Sequence, residues 1–406
     1  MPTRYGRSPW IDNCPKSRVP AYARYRGATS TDAVIIGGGL TGCLTAYAFA
    51  QAGVKVTLLE AERIGRGATA MSMGWIGTEP GPRFAEIEKQ MGLRAARYAW
   101  QSWRRAALDF SALLRRLEIK CQLADADTLH LATSAEETVA LTREHKHRKG
   151  ADLDASLLTA RAGTAAAGLS VDAALRIQGG AFVDPYRATI GIAAAAEKRG
   201  VRLCEKSPVE KVTFTRTYAD VKTAIGSIRT PRVIVATGVP TLLSKALIRH
   251  VWFKHRFFAL TDPVPAKIRS RLGRPGGVIT DLATPPHVIR WVDDDRLLVA
   301  GADSDAVPSR LREKTLVQRT GQLMYELSTL YPEISGIMPS YGWDAAYGET
   351  AERLPYIGAH RNFPHHLFAF GDSSHGLAGA YLASRLLLRH HLGDATPLDD
   401  TFGFNR

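Results

Sequence analysis

Ala33-Val34-Ile35-Ile36-Gly37-Gly38-Gly39-Leu40-Thr41-Gly42 decides how the rest of this chain is read. Four apolar residues, mostly β-branched, suit a buried parallel strand and lead directly into a G-x-G-x-x-G turn. Gly37 permits the tight turn, Gly39 lets a pyrophosphate approach the backbone, and Gly42 lets the following helix pack on the strand. The helix continues through Ala46–Ala52 and stops at Gly53. A second strand, Val54–Leu59, ends at Glu60, eighteen residues after Gly42. A carboxylate there accepts the hydroxyl protons of an adenosine ribose and repels a 2′-phosphate. Strand, turn, helix and acid in this order predict a dinucleotide site, with the phosphates at the helix N-terminus.

Composition narrows the class without choosing a chemistry. The 406 residues, 45% hydrophobic and 23% charged, suit a globular chain of two or three domains at about 150 residues per domain. The most apolar stretch, near Leu367–Leu388, carries Asp372, His375 and Arg385, so no membrane span is expected. The N-terminal region scatters Arg4, Arg7, Asp12, Lys16 and Arg18 among prolines and shows no secretory h-region. Cys14, Cys43, Cys121 and Cys204 have neither disulfide-framework nor zinc-ligand spacing. A cytoplasmic protein without a metal site is the expectation. The net charge of +14 favours anionic ligands, but the basic residues are dispersed and carry no nucleic-acid motif, so nucleic acid is an unlikely partner.

Further glycine-centred segments lie far downstream: Ile64–Trp75 with Gly65, Gly67 and Gly74; Arg232–Gly238, a strand ending in Ala236-Thr237-Gly238; and Phe368–Ala378, a strand turning through Gly371 into a helix that runs to about Arg389. Together with the first motif they resemble the D-amino-acid oxidase superfamily of FAD-dependent oxidoreductases, particularly its glycine, sarcosine and γ-glutamylputrescine oxidase branches. The resemblance spans nearly the whole chain, and Ser8-Pro9-Trp10 with Pro20 and Gly27 is similar to the N-terminal extension of the last group.

The resemblance implies an α/β fold: a discontinuous Rossmann-like FAD-binding domain of the GR2 type (1–80, 175–247 and 346–406), with a mixed α+β substrate-cap domain containing an antiparallel sheet (81–174 and 248–345). The cap begins with a helical pattern, Phe84, Ile87, Met91, Ala95, Tyr98 and later Leu113, Leu114 and Leu117. It continues with strand candidates Arg249–Leu260 and His287–Ala300, the latter turning at Asp293-Asp294-Asp295. For the cofactor, the resemblance implies that Gly37, Gly39, Thr41, Gly42, Glu60 and Ala61 hold the ADP half. Arg66, Ala68 and Thr69 line the pyrophosphate and the ring edge, and Val209 contacts the adenine through its backbone. Ala236, Thr237 and Gly238 form a further contact segment, and Gly371, Gly376, Leu377 and Ala378 carry the final turn to the flavin. Gly180–Pro185 is similar to the family's entry into its second cofactor segment. A helix N-terminus at the last turn suits a ring that gains negative charge on reduction.

The activity implied is oxidation of a C–N bond in a small amine or amino acid: hydride moves to flavin N5, the imine is hydrolysed, and O2 reoxidises the flavin to give H2O2. A dehydrogenase passing electrons to a quinone or carrier protein, and a tRNA-modification oxidase module, are the alternatives. In the glycine branch an arginine grips the substrate carboxylate where this chain has Tyr347, and a phenol does not replace a bidentate guanidinium. Either the substrate has no carboxylate at that place, or another cation, Arg290, takes it. Lys254, sharing a strand face with Arg256 and opposite His255, is the candidate oxygen-activating cation. His375 is the candidate for polarising the reduced ring or guiding a proton. Met71, Met73 and Trp75 are candidates for shaping the flavin face. With no cysteine after Cys204, a late thioether is excluded and FAD is expected to be non-covalent.

Overall fold

The computed structural model describes residues 2–272, 277–283, 285–371 and 376–406. Strand Ala33–Ile36 lies inside a six-stranded sheet whose strands run, side by side, Arg202–Cys204, Val56–Leu59, Ala33–Ile36, Arg232–Gly238, Phe363–Phe370 and Tyr356–His360. The first five are mutually parallel, and Tyr356–His360 closes the edge antiparallel. All four residues of Ala33–Ile36 are buried, because both sheet faces are covered. Ala33 and Ile35 enter a core formed with helices Leu40–Gln51, Pro185–Glu197 and Ala378–Leu392. Val34 and Ile36 point to the opposite face, packed with Ala219, Val221 and Ile228 of a four-stranded sheet (Val209–Phe214, Ala219–Thr223, Gly226–Thr230, Gly27–Ser30).

The helical pattern expected from residue 84 forms two helices, Phe84–Met91 and Leu93–Arg116, separated at Gly92, whose φ of 84° no β-substituted residue adopts easily. Their apolar faces, including Trp100, Trp103, Phe110 and Leu113, join the core beneath Ala378–Leu392. This stretch, assigned above to the cap, therefore packs on the cofactor domain, because its apolar stripe meets a helix and not a sheet.

A nine-stranded sheet forms the cap, in the order Arg4–Tyr5, Pro339–Glu349, Trp252–Thr261, Arg296–Asp305, Val288–Val292, Gly277–Thr280, Asp127–Ala132, Ala173–Ile177 and Ser156–Thr159. Its central pairs are antiparallel, and the expected turn at Asp293 and Asp294 is present with both residues at positive φ. Along Trp252–Thr261 the side chains alternate. Phe257 and Ala259 enter the core under helix Arg312–Leu330, while Lys254, Arg256 and Phe258 face the cofactor domain. The first residues divide: Arg4–Tyr5 pairs parallel with Tyr341–Gly342 as an edge strand of the cap sheet, while Trp10 packs in a cluster shared by cap-sheet residues and by Ala70, Met73, Trp75 and Tyr186 of the cofactor domain. Among the described residues no helix is long and apolar enough to cross a membrane.

Candidate active site

Two cavities meet where the cap faces the parallel sheet. The first, ≈ 380 Å³, begins at the glycine turn: Gly37, Gly39 and Thr41 line it beside the N-terminus of Leu40–Gln51. The glycines are there because larger residues do not fit. Gly37 has φ +109°, and a Cβ on it would lie 2.6 Å from the Ala236 carbonyl oxygen; one on Gly42 would lie 1.9 Å from the Gly37 carbonyl oxygen. Gly42 packs the turn without lining the cavity. Glu60 lines it, accepting the Gly38 amide at 2.6 Å on Oε2 and the Glu62 amide at 2.8 Å on Oε1. A carboxylate oxygen holding one such bond keeps acceptor capacity for a hydroxyl.

Ala61, Ala68, Thr69, Val209, Ala236, Thr237 and Gly238 line the same cavity, as do Gly376 and Leu377 at the start of Ala378–Leu392. Segments distant in sequence therefore converge on one space whose lining is rich in glycine and alanine. Residues that keep their Cβ atoms out of the way beside a helix N-terminus, with one carboxylate at the strand end, fit an adenine dinucleotide. Gly371 and Ala378 support the final turn from outside the lining: the Gly371 amide donates to the Gly238 carbonyl at 3.0 Å, and Ala378 is buried in the core. Arg66 is exposed, with Nε 3.5 Å from the Tyr186 hydroxyl, and is not among the lining residues. His375 lies outside the described residues.

The second cavity, ≈ 390 Å³, shares Trp75, Arg256, Val288 and Tyr347 with the first, so these residues mark the junction. Arg256 is fully buried, and its guanidinium donates to both oxygens of Asp303, Nε to Oδ1 and Nη2 to Oδ2, each at 2.8 Å. The Tyr347 hydroxyl donates to Asp303 Oδ2 at 2.7 Å. Strand order explains the meeting: Tyr347, Arg256 and Asp303 come from three adjacent strands. Burial and the neighbouring Asp303 charge push the Tyr347 phenol above its usual range, so it stays a neutral donor. Burial alone would ease the proton off Arg256, but Asp303 reverses that and keeps it charged.

Farther into this cavity lies a second buried group. Arg148 donates through Nε to Glu144 at 2.8 Å and through Nη1 to Glu79, which also meets His130 Nε2. Burial would raise the Glu79 carboxyl, yet Arg148 and His130 hold it down at about 2. Lys254 lines the rim, 3.0 Å from Asp305 and 3.8 Å from Glu349, and the contact with Asp305 raises its pKa. Arg353 is paired with Glu86.

Arg290 is placed elsewhere. It shares strand and face with Val288, but two residues farther along that face is covered by the loop through Met73, so Arg290 opens toward a separate cavity beside Phe182 and Asp184. Its Nε donates to the Met73 carbonyl at 3.0 Å. Arg256, Asp303 and the Glu79–Arg148–Glu144 group were not singled out as site residues. Strand alternation placed Arg256 on the face of Lys254, which was the available signal; nothing local marked the others.

Dinucleotide cradle, polar second cavity and cap sheet define a two-domain flavoprotein oxidoreductase. The chain belongs to the DAO family of FAD-dependent oxidoreductases, whose family model matches residues 32–389. It is 27% identical over 373 residues to γ-glutamylputrescine oxidoreductase of Escherichia coli, covering 91% of this chain and 85% of that protein. It is 25% identical over 370 residues to glycine oxidase of Bacillus licheniformis, covering 89% and 93%. Among solved structures, L-amino acid deaminase from Proteus vulgaris lacking its specific insertion sequence aligns with a TM-score of 0.78 at 17% identity, covering 97% of this chain and 98% of that one. The protein is thus an enzyme that uses FAD.

Proposed function

We propose that the enzyme oxidises the C–N bond of a small amine or amino acid whose reacting end is recognised as an amine, with O2 as the electron acceptor. One observation carries this reading: next to the junction the second cavity presents hydrogen-bond acceptors, the Asp303 carboxylate and the Tyr347 oxygen, while the buried and half-buried cations lining it already hold carboxylates and Arg83, which has no ion pair among the described residues, is exposed. Arg256 is paired with Asp303, Arg148 with Glu79 and Glu144, Lys254 with Asp305, and Arg353 with Glu86. A substrate carboxylate arriving beside Tyr347 would have to displace Asp303 from Arg256, whereas an amine N–H finds an acceptor directly.

FAD, when bound, supplies the hydride acceptor for the carbon next to nitrogen. The chain's own part is to accept the amine N–H groups at Asp303 and Tyr347, so that the nitrogen lone pair is oriented as the C–H bond breaks. Arg256 fixes the carboxylate for that task through its paired hydrogen bonds. Water adds to the resulting imine carbon, and the amine leaves as a carbonyl product forms. At the rim, Lys254 is the group proposed to stabilise negative charge developing on oxygen. The curated relatives named as acting on an acylated diamine and on an amino acid support a substrate of this class.

The test is anaerobic bleaching of the bound flavin against primary amines, N-methyl amino acids and D-amino acids, followed by oxygen readmission with peroxide detection. Bleaching by amines that lack an α-carboxylate, and peroxide equal to the flavin reoxidised, is the expected result. Bleaching by α-amino acids alone would overturn the amine-end reading, and bleaching without peroxide would overturn O2 as acceptor.

A further inference from the structure

The loop Met71–Trp75 walls the dinucleotide cavity through Ser72, Met73, Gly74 and Trp75, and Trp75 also lines the second cavity. Every carbonyl along it is held from outside by a different partner. Met71 O accepts from Trp343 Nε1 at 2.9 Å, Ser72 O from Trp10 Nε1 at 2.9 Å and Met73 O from Arg290 Nε at 3.0 Å. Gly74 O accepts from the Val183 amide at 2.8 Å and Trp75 O from the Leu377 amide at 2.6 Å. A run of consecutive carbonyls each tied to a separate element leaves the loop little freedom to shift.

Arg290 is the unusual member. It is fully buried, and among the described residues no carboxylate lies within ion-pair distance of it. Its guanidinium carbon sits 5.2 Å from the Trp10 ring centroid and 4.7 Å from that of Phe182, and Nη1 donates to the Trp291 carbonyl at 3.3 Å. An unpaired buried cation is costly, and an apolar side chain would fill the same space without that cost. What the apolar chain would lack is the donor that reaches Met73. Trp10 performs the same service one residue earlier while its ring faces Arg290.

We propose that Arg290 and Trp10 are positioning residues that fix the cofactor-facing wall, which makes the N-terminal segment around Trp10 a working part of the oxidoreductase site. The observation explains why a side chain from the first dozen residues is buried beneath a loop that faces the cofactor. It rests on FAD occupying the first cavity and is independent of which substrate is turned over.

The test uses FAD-loaded full-length protein and three variants, R290M, R290K and W10F, with the visible spectrum of bound FAD, its dissociation constant and its midpoint potential as readouts. R290M is expected to shift the visible band and weaken FAD about tenfold, the scale of one lost charge-assisted hydrogen bond. R290K, which keeps charge and a donor, should recover much of the wild-type spectrum and affinity. W10F loses only the Ser72 bond, and should move the same readouts in the same direction by less. If R290M does not fold, W10F decides alone. Wild-type spectrum, affinity and potential in every variant that folds would overturn the proposal, as would R290K behaving like R290M.

Discussion

The cofactor half of this molecule is built from backbone and the second cavity from paired charges. Around Gly37, Gly42 and Glu60 the chain makes room: glycines remove side chains, amides face the space, and a single carboxylate waits at the strand end. Around Asp303 the chain fills room, setting a buried guanidinium and a phenol against one carboxylate. The first kind of site tolerates almost no added atom, and the second tolerates almost no lost charge. Substitutions that test each half should therefore fail in different ways.

The largest expected effect is at Gly42. A Gly42→Val side chain would begin 1.9 Å from the Gly37 carbonyl oxygen, and the helix could not stay against the turn. The purified variant should be colourless and bind added FAD at least about a hundredfold more weakly, read by titration of flavin fluorescence. Retained colour would show that the cradle can open, and the contrast between the two halves would fail.

Next comes Asp303→Asn, which leaves the buried Arg256 without its counter-charge. Removing one partner of a buried pair costs about 3–5 kcal/mol, to be measured by urea unfolding of the FAD-loaded protein. FAD should still bind, because Asp303 lines only the second cavity. An unchanged unfolding midpoint would mean that Arg256 does not depend on this carboxylate.

The smallest effect sharpens the comparison from the edge of the second cavity. His287 sits between Asp281, which lines that cavity, and Glu326, at 2.6 and 2.8 Å. The Asp281 hydrogen bond, against the cost of burial, raises its pKa from 6.5 to about 9. A raised folded-state pKa gives stability that is fully present below the unfolded value and is lost as pH rises through the folded one. The window is therefore pH 6.5 to 9, and the loss is at most about 3 kcal/mol. Unfolding free energy measured across that window should fall in the wild type and flatten in His287→Asn. Parallel curves for the two proteins would refute the assignment.

The same contrast explains what the sequence alone made legible. The cofactor cradle is readable because its determinants are local: strand, glycines and Glu60 lie in one short stretch, and Gly238 and Gly376 each sit at the end of a recognisable turn. The second cavity was not readable, because Arg256 meets Asp303 across 47 residues and Tyr347 meets it across 44, and only the pairing of three strands brings them together. Tyr347 was visible as a departure from the family pattern, but its consequence required Asp303. Arg290 shows the limit of a strand reading as a guide. Its strand was legible in the sequence, but not that the loop at Met73 would cover its side chain. The helices from Phe84 are legible as an apolar stripe, but what that stripe packs against is not, since a stripe does not say whether it will meet a sheet or another helix.

The wide separation of the cradle's parts also sets an order of events during synthesis. Part of the cradle's lining comes from Gly37 and part from Gly376 and Leu377, so a growing chain cannot enclose the dinucleotide until most of it has left the ribosome. Loading of FAD is then a late step, open to a race with misfolding of the exposed parallel strands, and overproduction with limited flavin should fill the insoluble fraction first.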